Sequence, residues 1–151
     1  MAGKRSEEAS RWFQQALYDL KAALWNLEGG FYNTVCFLAQ QSGEKALKAL
    51  LYYEGARRKA LLTHSVVEML RELQRRKLPE ADALIEEGRL LDLHYIPSRY
   101  PNGLPSGYPY QFYGKKVAEQ ALGAAERILK TIQEYFQARG ESNIIRSDDH
   151  E

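Results

Sequence analysis

Residues 40–51 read QQSGEKALKALL and form the middle of a helical pattern that runs from about residue 33 to residue 54. Small and apolar side chains recur in this pattern every three or four positions, which predicts an α-helix with one face in a core. That face consists of Cys36, Ala39, Gly43, Ala46, Leu47 and Leu50. Gly55 follows, and a glycine just beyond the last helical residue is a common helix end.

The same spacing predicts four more helices. They cover about residues 7–27, the segment opened by a capping box of Ser65 and Glu68, residues 79–93 with a proline in the first turn, and residues 115–137. No strand pattern competes, and short connections between long amphipathic helices predict antiparallel neighbours. The expected fold is therefore all-α, an up-and-down bundle of about five helices. We expect one domain in residues 1–140 and a flexible polar tail in residues 141–151.

A long segment before the last helix breaks the pattern. Residues 95–113 contain four prolines and two glycines, so we expect a loop without helix. The loop is also rich in aromatic residues, namely Tyr95, Tyr100, Tyr108, Tyr110, Phe112 and Tyr113. These rings either pin the loop to the bundle or stack on a base.

Composition excludes several classes of protein. With 44% apolar and 27% charged residues, the chain is typical of a globular domain and not of a disordered one. The single cysteine, Cys36, allows no intrachain disulfide and no thiolate metal cluster, and no cofactor is indicated. No apolar run approaches the length of a membrane span and the first residues are polar, so we expect a cytoplasmic protein without membrane association.

Charge is distributed unevenly around a net value of +1. Residues 45–77 carry nine bases and three acids, a local net charge of +6, whereas residues 78–94 carry five acids and one base, a net charge of −4. This asymmetry indicates a surface for a polyanion, a self-complementary dimer, or simply solvated helix faces.

Two predicted helices also carry side chains away from their core faces. Tyr18 and Trp25 share one stripe on the back of the first helix, and Phe37 and Tyr52 lie on the outer face of the second. Neighbouring segments could cover these rings, but we predict that the four residues form a homodimer interface. A polar row on the second helix indicates either a polar groove or an exposed face with one ion pair. The row consists of Gln41, Glu44, Lys45 and Lys48.

Three segments resemble landmarks of the prokaryotic HEPN domain family. They are residues 40–51, His64 before the third helix, and Ser98-Arg99-Tyr100-Pro101 before the last helix. The resemblance implies a bundle of about five helices that is usually dimeric. It also implies nucleotide or RNA binding, and an association with a minimal nucleotidyltransferase that in some cases forms a toxin–antitoxin pair.

The same resemblance argues against catalysis. Ribonucleases of the family carry an arginine and a histidine separated by four to six residues. After Arg99 these positions are Leu104, Pro105 and Ser106, none of which exchanges protons near neutral pH as imidazole does. His94 lies on the wrong side of Arg99, and we expect it to be a helix C-terminal histidine favoured by the helix dipole.

We therefore predict a non-catalytic module that binds a nucleotide or RNA phosphate through Arg99. Tyr100 would stack on a base, and Lys45, Gln41 and Lys48 would lie near by. In the alternative interpretation Arg99 anchors the loop through an ion pair with Glu44 or Asp19. Two other functions stay open: a protein-interaction subunit that docks a nucleotidyltransferase and binds no nucleotide, and a ribonuclease with a non-standard base.

Overall fold

The structure is a computed structural model that describes residues 2–146. Three long helices dominate it: α1 (Ala2–Gly29), α2 (Tyr32–Glu54) and, near the end of the chain, α8 (Lys115–Ala138). The shorter helices are α3 (Arg58–Leu62), α4 (Val66–Arg75), α5 (Pro79–Ala83), α6 (Ile85–Asp92), α7 (Pro109–Phe112) and α9 (Ser142–Ile145), with a 3-10 turn at Pro101–Gly103. Residues 2–146 contain no strand, which confirms the all-α class. Each helix in this range is too short or too polar to span a lipid bilayer.

Helix α2 lies at the centre and contacts α1, α8, α4 and α6. Its sequence explains this position, because small residues allow close approach on two sides. Ser42 donates a hydrogen bond of 2.7 Å to the Ala16 carbonyl of α1. A Cβ atom at Gly43 would lie only 2.6 Å from Cδ1 of Leu91 in α6, so glycine is needed for the α2–α6 contact. Phe13 of α1 and Phe136 of α8 meet edge to face below these contacts.

The predicted fourth helix is two helices in the structure. The chain turns at Leu84, which has φ −109° and ψ 3°, and this turn buries both Ala81 and Leu84. Helix α3 was not predicted, since only Ala60 of its five residues is buried and so short a segment shows no period.

The capping box is confirmed only in part. The Ser65 hydroxyl accepts from the Glu68 amide at 3.2 Å, as predicted. The Glu68 carboxylate pairs with Arg71 instead of returning to residue 65. The Ser65 amide instead donates to Oγ1 of Thr63 at 3.1 Å. Asp92, at the end of α6, caps the next two amides and accepts from Val66 (2.6 Å) and Val67 (3.2 Å).

Two further expectations need correction. Residues 95–113 are not free of helix, because the 3-10 turn and α7 each begin at a proline, which suits a first helical position. The packed structure also extends past residue 140. Ile144 of α9 is buried, and Gln14 of α1 donates to its carbonyl at 3.0 Å. Of the predicted tail, residues 147–151 lie outside the described part of the chain.

Candidate functional site

Arg99 is held by a backbone carbonyl and by aromatic rings. Its Nε and Nη2 donate to the Tyr95 carbonyl at 3.1 and 2.9 Å. The guanidinium carbon lies 4.2 Å from the centre of the Phe37 ring, 4.9 Å from Tyr100 and 5.0 Å from Tyr95. These distances are typical of cation–π contacts, so three rings partly enclose the charge.

No carboxylate neutralises Arg99 among residues 2–146. Asp19 accepts from Lys45 at 2.5 Å. Glu44 is buried and accepts from Lys48 at 3.3 Å. Neither acid therefore forms the anchoring ion pair of the alternative interpretation, and Arg99 instead contacts the bundle through the Phe37 ring of α2.

A buried network connects α2 with this cluster. Glu44 receives a hydrogen bond from Gln40 (3.2 Å), and its Oε1 lies 3.3 Å from Nδ1 of His64. The His64 ring stacks on Tyr95, with centroids 5.0 Å apart and an angle of 15°. Tyr95 also contacts Arg99. A proton on Nδ1 of His64 would satisfy Glu44 and leave Nε2 on the exposed side as an acceptor.

Of the other residues predicted to bind the ligand, only Tyr100 contacts Arg99. Tyr100 contacts the guanidinium directly. Gln41 donates to Gln40 at 2.7 Å, and Lys48 binds Glu44, so both belong to the network that reaches His64. Lys45 instead pairs with Asp19 of α1.

The polar row of α2 is thus neither an open groove nor an exposed face. Glu44 and Lys48 form the expected ion pair, but both are buried, and the Lys48 ammonium lies 5.2 Å from the centre of the Trp12 ring. Sequence reasoning missed Gln40 as a member of the site, and it named Tyr95 only as one of the loop aromatics. The position of Tyr95 four residues before Arg99, one helical turn away, could have placed it beside the guanidinium.

The sequence model of the HEPN domain matches residues 9–135. The chain belongs to the HEPN domain family. None of the curated proteins matches it.

Crystal structures with the same fold include three at more than 30% identity to this HEPN domain. The protein TT1696 from Thermus thermophilus is 36% identical, with a TM-score of 0.73 over 84% of this chain and 97% of that chain. ST0689, an archaeal HEPN homologue, is 32% identical, with a TM-score of 0.70 over 85% and 97%. A HEPN domain protein from Thermotoga maritima is 33% identical, with a TM-score of 0.65 over 84% and 98%.

The four residues predicted for a dimer interface separate into two pairs in this HEPN domain. Tyr18 and Trp25 are 67% and 78% exposed on the outer side of α1. Phe37 and Tyr52 are partly covered within the chain, because Phe37 lies under Arg99 and Tyr52 stacks on Trp12 at 5.7 Å. Only the first pair is therefore fully open to a partner.

Three titratable groups lie buried between α2 and the start of α8. Burial lowers the pKa of His94, whose Nδ1 lies 3.2 Å from the Tyr113 hydroxyl. Burial, with a smaller contribution from Cys36, raises the pKa of Tyr113 to about 12. Burial also raises the pKa of Cys36 to about 12, so its thiol is inert packing. His94 directly follows the C-terminus of α6, as predicted, but desolvation by burial favours its neutral ring.

No group of three or more His, Cys, Asp or Glu side chains in residues 2–146 is arranged to hold a metal ion.

Proposed function

We propose that this HEPN domain is a non-catalytic module that binds the phosphate of a nucleotide or of RNA through Arg99. One observation carries the proposal: a partly buried guanidinium has aromatic and carbonyl contacts but no carboxylate partner in the described chain. The free energy of a charge removed from water is high unless an opposite charge compensates it. A phosphate oxygen on the outer edge of the guanidinium would supply that charge.

Neighbouring residues fit the same ligand. Tyr100 is half-exposed and offers a ring on which a base can stack, a contact that tolerates any base. His64 exposes the edge opposite Glu44 and can accept or donate a hydrogen bond to a sugar or phosphate. We assign His64 to binding of the ligand in this proposal.

Calorimetry with AMP and with a short single-stranded RNA tests the proposal. Arg99→Ala should weaken binding about 10- to 100-fold, since a hydrogen bond to a charged group contributes roughly 1.5–3 kcal/mol. Binding by the wild type should weaken as salt rises. The RNA should remain uncleaved after incubation.

Arg139 provides a matched control for this experiment. It repeats the local arrangement of Arg99, because it donates to the carbonyl of Tyr135 four residues earlier and lies over that ring at 3.5 Å. Arg139→Ala should leave binding unchanged. If millimolar ligand gives no heat with the wild type, the binding function is excluded. If Arg99→Ala binds as tightly as Arg139→Ala, Arg99 is not the residue that binds the phosphate.

A second candidate function is a protein-interaction subunit, for example one that docks a minimal nucleotidyltransferase in a toxin–antitoxin type pair. The exposed rings of Tyr18 and Trp25 favour it, because large exposed aromatic residues on one stripe are typical of interfaces. This candidate predicts no nucleotide binding, so the calorimetry separates the two functions.

For the nucleotide-binding module we propose the other occupant of this stripe, a second copy of the chain that pairs through α1. Lys21 and Glu28 lie in it on either side of Leu24 and Trp25, which line the same surface cavity. In an antiparallel pair of α1 helices centred on Leu24 and Trp25, Lys21 of each copy would approach Glu28 of the other. The stripe would thus be complementary to itself in charge.

A further inference from the structure

A cavity of about 290 Å³ lies between α3 and α4, and none of the residues that line it contacts Arg99. Its charged walls are Arg57, Lys59, Arg71 and Arg75, opposed by Glu68 and Glu72. Four positive and two negative side chains give a net charge of +2. The cavity accounts for part of the basic excess in residues 45–77, which the Arg99 site does not use.

Glu72 organises the cavity but does not neutralise it. The carboxylate is 3% exposed and binds both neighbouring arginines. Arg57 donates to it through its amide (3.1 Å), Nε (3.0 Å) and Nη2 (2.6 Å), and Arg75 donates through Nε (2.9 Å). These hydrogen bonds hold the pKa of Glu72 well below its ordinary value. One acid therefore fixes two guanidinium groups, and one positive charge is left over.

The remaining walls add positive charge and a hydroxyl. Lys59 has no ion-pair partner in the described chain, whereas Arg71 pairs with Glu68 at 3.2 Å on an exposed surface. The Thr63 oxygen accepts from the Ser65 amide at 3.1 Å, so its hydroxyl hydrogen can point to a ligand. Arg57 and Arg75 are about half-exposed, which leaves their outer edges open to the cavity.

From this geometry we infer a second anion-binding site, formed by Lys59, Thr63 and Arg71 around the Arg57–Glu72–Arg75 triad, that takes a phosphate group. The volume lies at the lower end of ligand pockets, which fits one phosphate or pyrophosphate and not a whole nucleotide. Guanidinium forks and a flexible ammonium group are the donors that phosphate oxygens prefer. The site is independent of the function proposed for Arg99.

The test is calorimetry with pyrophosphate. All variants also carry Arg99→Ala, so that binding at the Arg99 site does not contribute heat. In this background the protein should still bind pyrophosphate. The cavity variant, which adds Lys59→Ala and Arg71→Ala, should have a Kd for pyrophosphate at least tenfold higher. Arg57, Glu72 and Arg75 are left intact because they hold the cavity together.

Arg89 supplies the control for a general loss of charge. It pairs with Glu86 three residues earlier, as Arg71 pairs with Glu68, but it lies outside the cavity. Arg89→Ala in the same background should leave the Kd unchanged. The inference is overturned if the Arg99→Ala protein gives no heat at millimolar pyrophosphate, or if Arg89→Ala weakens binding as much as the cavity variant. An Arg99→Ala protein that still binds pyrophosphate while wild type fails to bind AMP would reject only the first proposal.

Discussion

Arg99 rests on Phe37, with the guanidinium carbon 4.2 Å from the ring centre, so a loop residue is seated on the central helix of the bundle. The contact connects a ring predicted for a dimer interface with the residue proposed to bind phosphate. Phe37 is therefore a positioning residue for Arg99.

Removing this ring should weaken nucleotide binding without unfolding the domain. A cation–π contact contributes about 0.5–2 kcal/mol, so Phe37→Leu should raise the Kd for AMP roughly 2- to 30-fold in calorimetry. Tyr52→Leu is the control, since Tyr52 is also a partly covered ring of α2 but stacks on Trp12. Equal effects of the two substitutions would show that Phe37 does not position Arg99.

The buried pair of Glu44 and Lys48 should show strong coupling. Glu44→Gln leaves the buried Lys48 ammonium without a negative partner and should cost about 3–5 kcal/mol of unfolding free energy. Glu44→Gln with Lys48→Met removes both charges and should recover most of that loss. Urea unfolding of the wild type, both single variants and the double variant measures the coupling. Additive losses would argue that the two charges are solvated.

Two helical glycines should respond in opposite directions to alanine. Gly43→Ala places a Cβ atom 2.6 Å from the fully buried Leu91 side chain and should destabilise the domain by about 1–3 kcal/mol. At Gly123 the new atom meets only the end of the Arg127 side chain, at 3.3 Å. Gly123→Ala should stabilise by about 0.5–1 kcal/mol. Thermal unfolding of the two variants measures these changes in stability. Higher stability of both variants would contradict the close α2–α6 contact.

Stability should fall as the pH decreases through the range in which an unfolded histidine titrates. The folded pKa of His94 lies below the usual 6.5, so the unfolded chain binds more protons at this position below about pH 7. The stabilisation is present above pH 6.5 and is lost as the pH falls, with a slope of at most about 1.4 kcal/mol per pH unit. His94→Gln should reduce the slope of unfolding free energy between about pH 7.5 and pH 5.5, measured as a difference from the wild type. Parallel curves would mean that His94 titrates alike in both states.

The proposed dimer can be tested by exchanging charges. Lys21→Glu should dissociate the dimer by placing like charges opposite each other, and Lys21→Glu with Glu28→Lys should restore it. Light scattering at micromolar concentration reports the mass. A monomeric wild type, or a double variant that stays monomeric, would contradict the antiparallel pairing of α1.

Local patterns were sufficient to predict much of the fold from the sequence. The Ser65 cap, the helix end at Gly55 and the buried face of α2 all depend on neighbours within one or two helical turns. The break at Leu84 could not be predicted, because it depends on how α5 and α6 pack on α4.

The site was less predictable, because its contacts join distant segments. Arg99 and Tyr100 were identified from a short motif, but the seat on Phe37 and the stacking of His64 on Tyr95 arise only when the loop folds back on the bundle. Lys48 has the spacing of an exposed residue and is nevertheless buried, since Glu44 and Trp12 provide a partner and a ring. The spacing of residues within one helix cannot show that a buried charge has a partner on the same or another helix.

Asp92 restricts how the segments that carry His64 and Tyr95 can move apart. Its carboxylate accepts from the Ser65 hydroxyl and from the amides of Val66 and Val67, directly after His64, while its own backbone precedes Tyr95. One side chain thus acts as a clasp between the two segments of chain whose rings stack. Tyr95 could not swing away from His64 by a hinge near residue 92 without releasing those amides. Hydrogen–deuterium exchange at Val66 and Val67 would therefore record how often the clasp opens, even before any ligand is known.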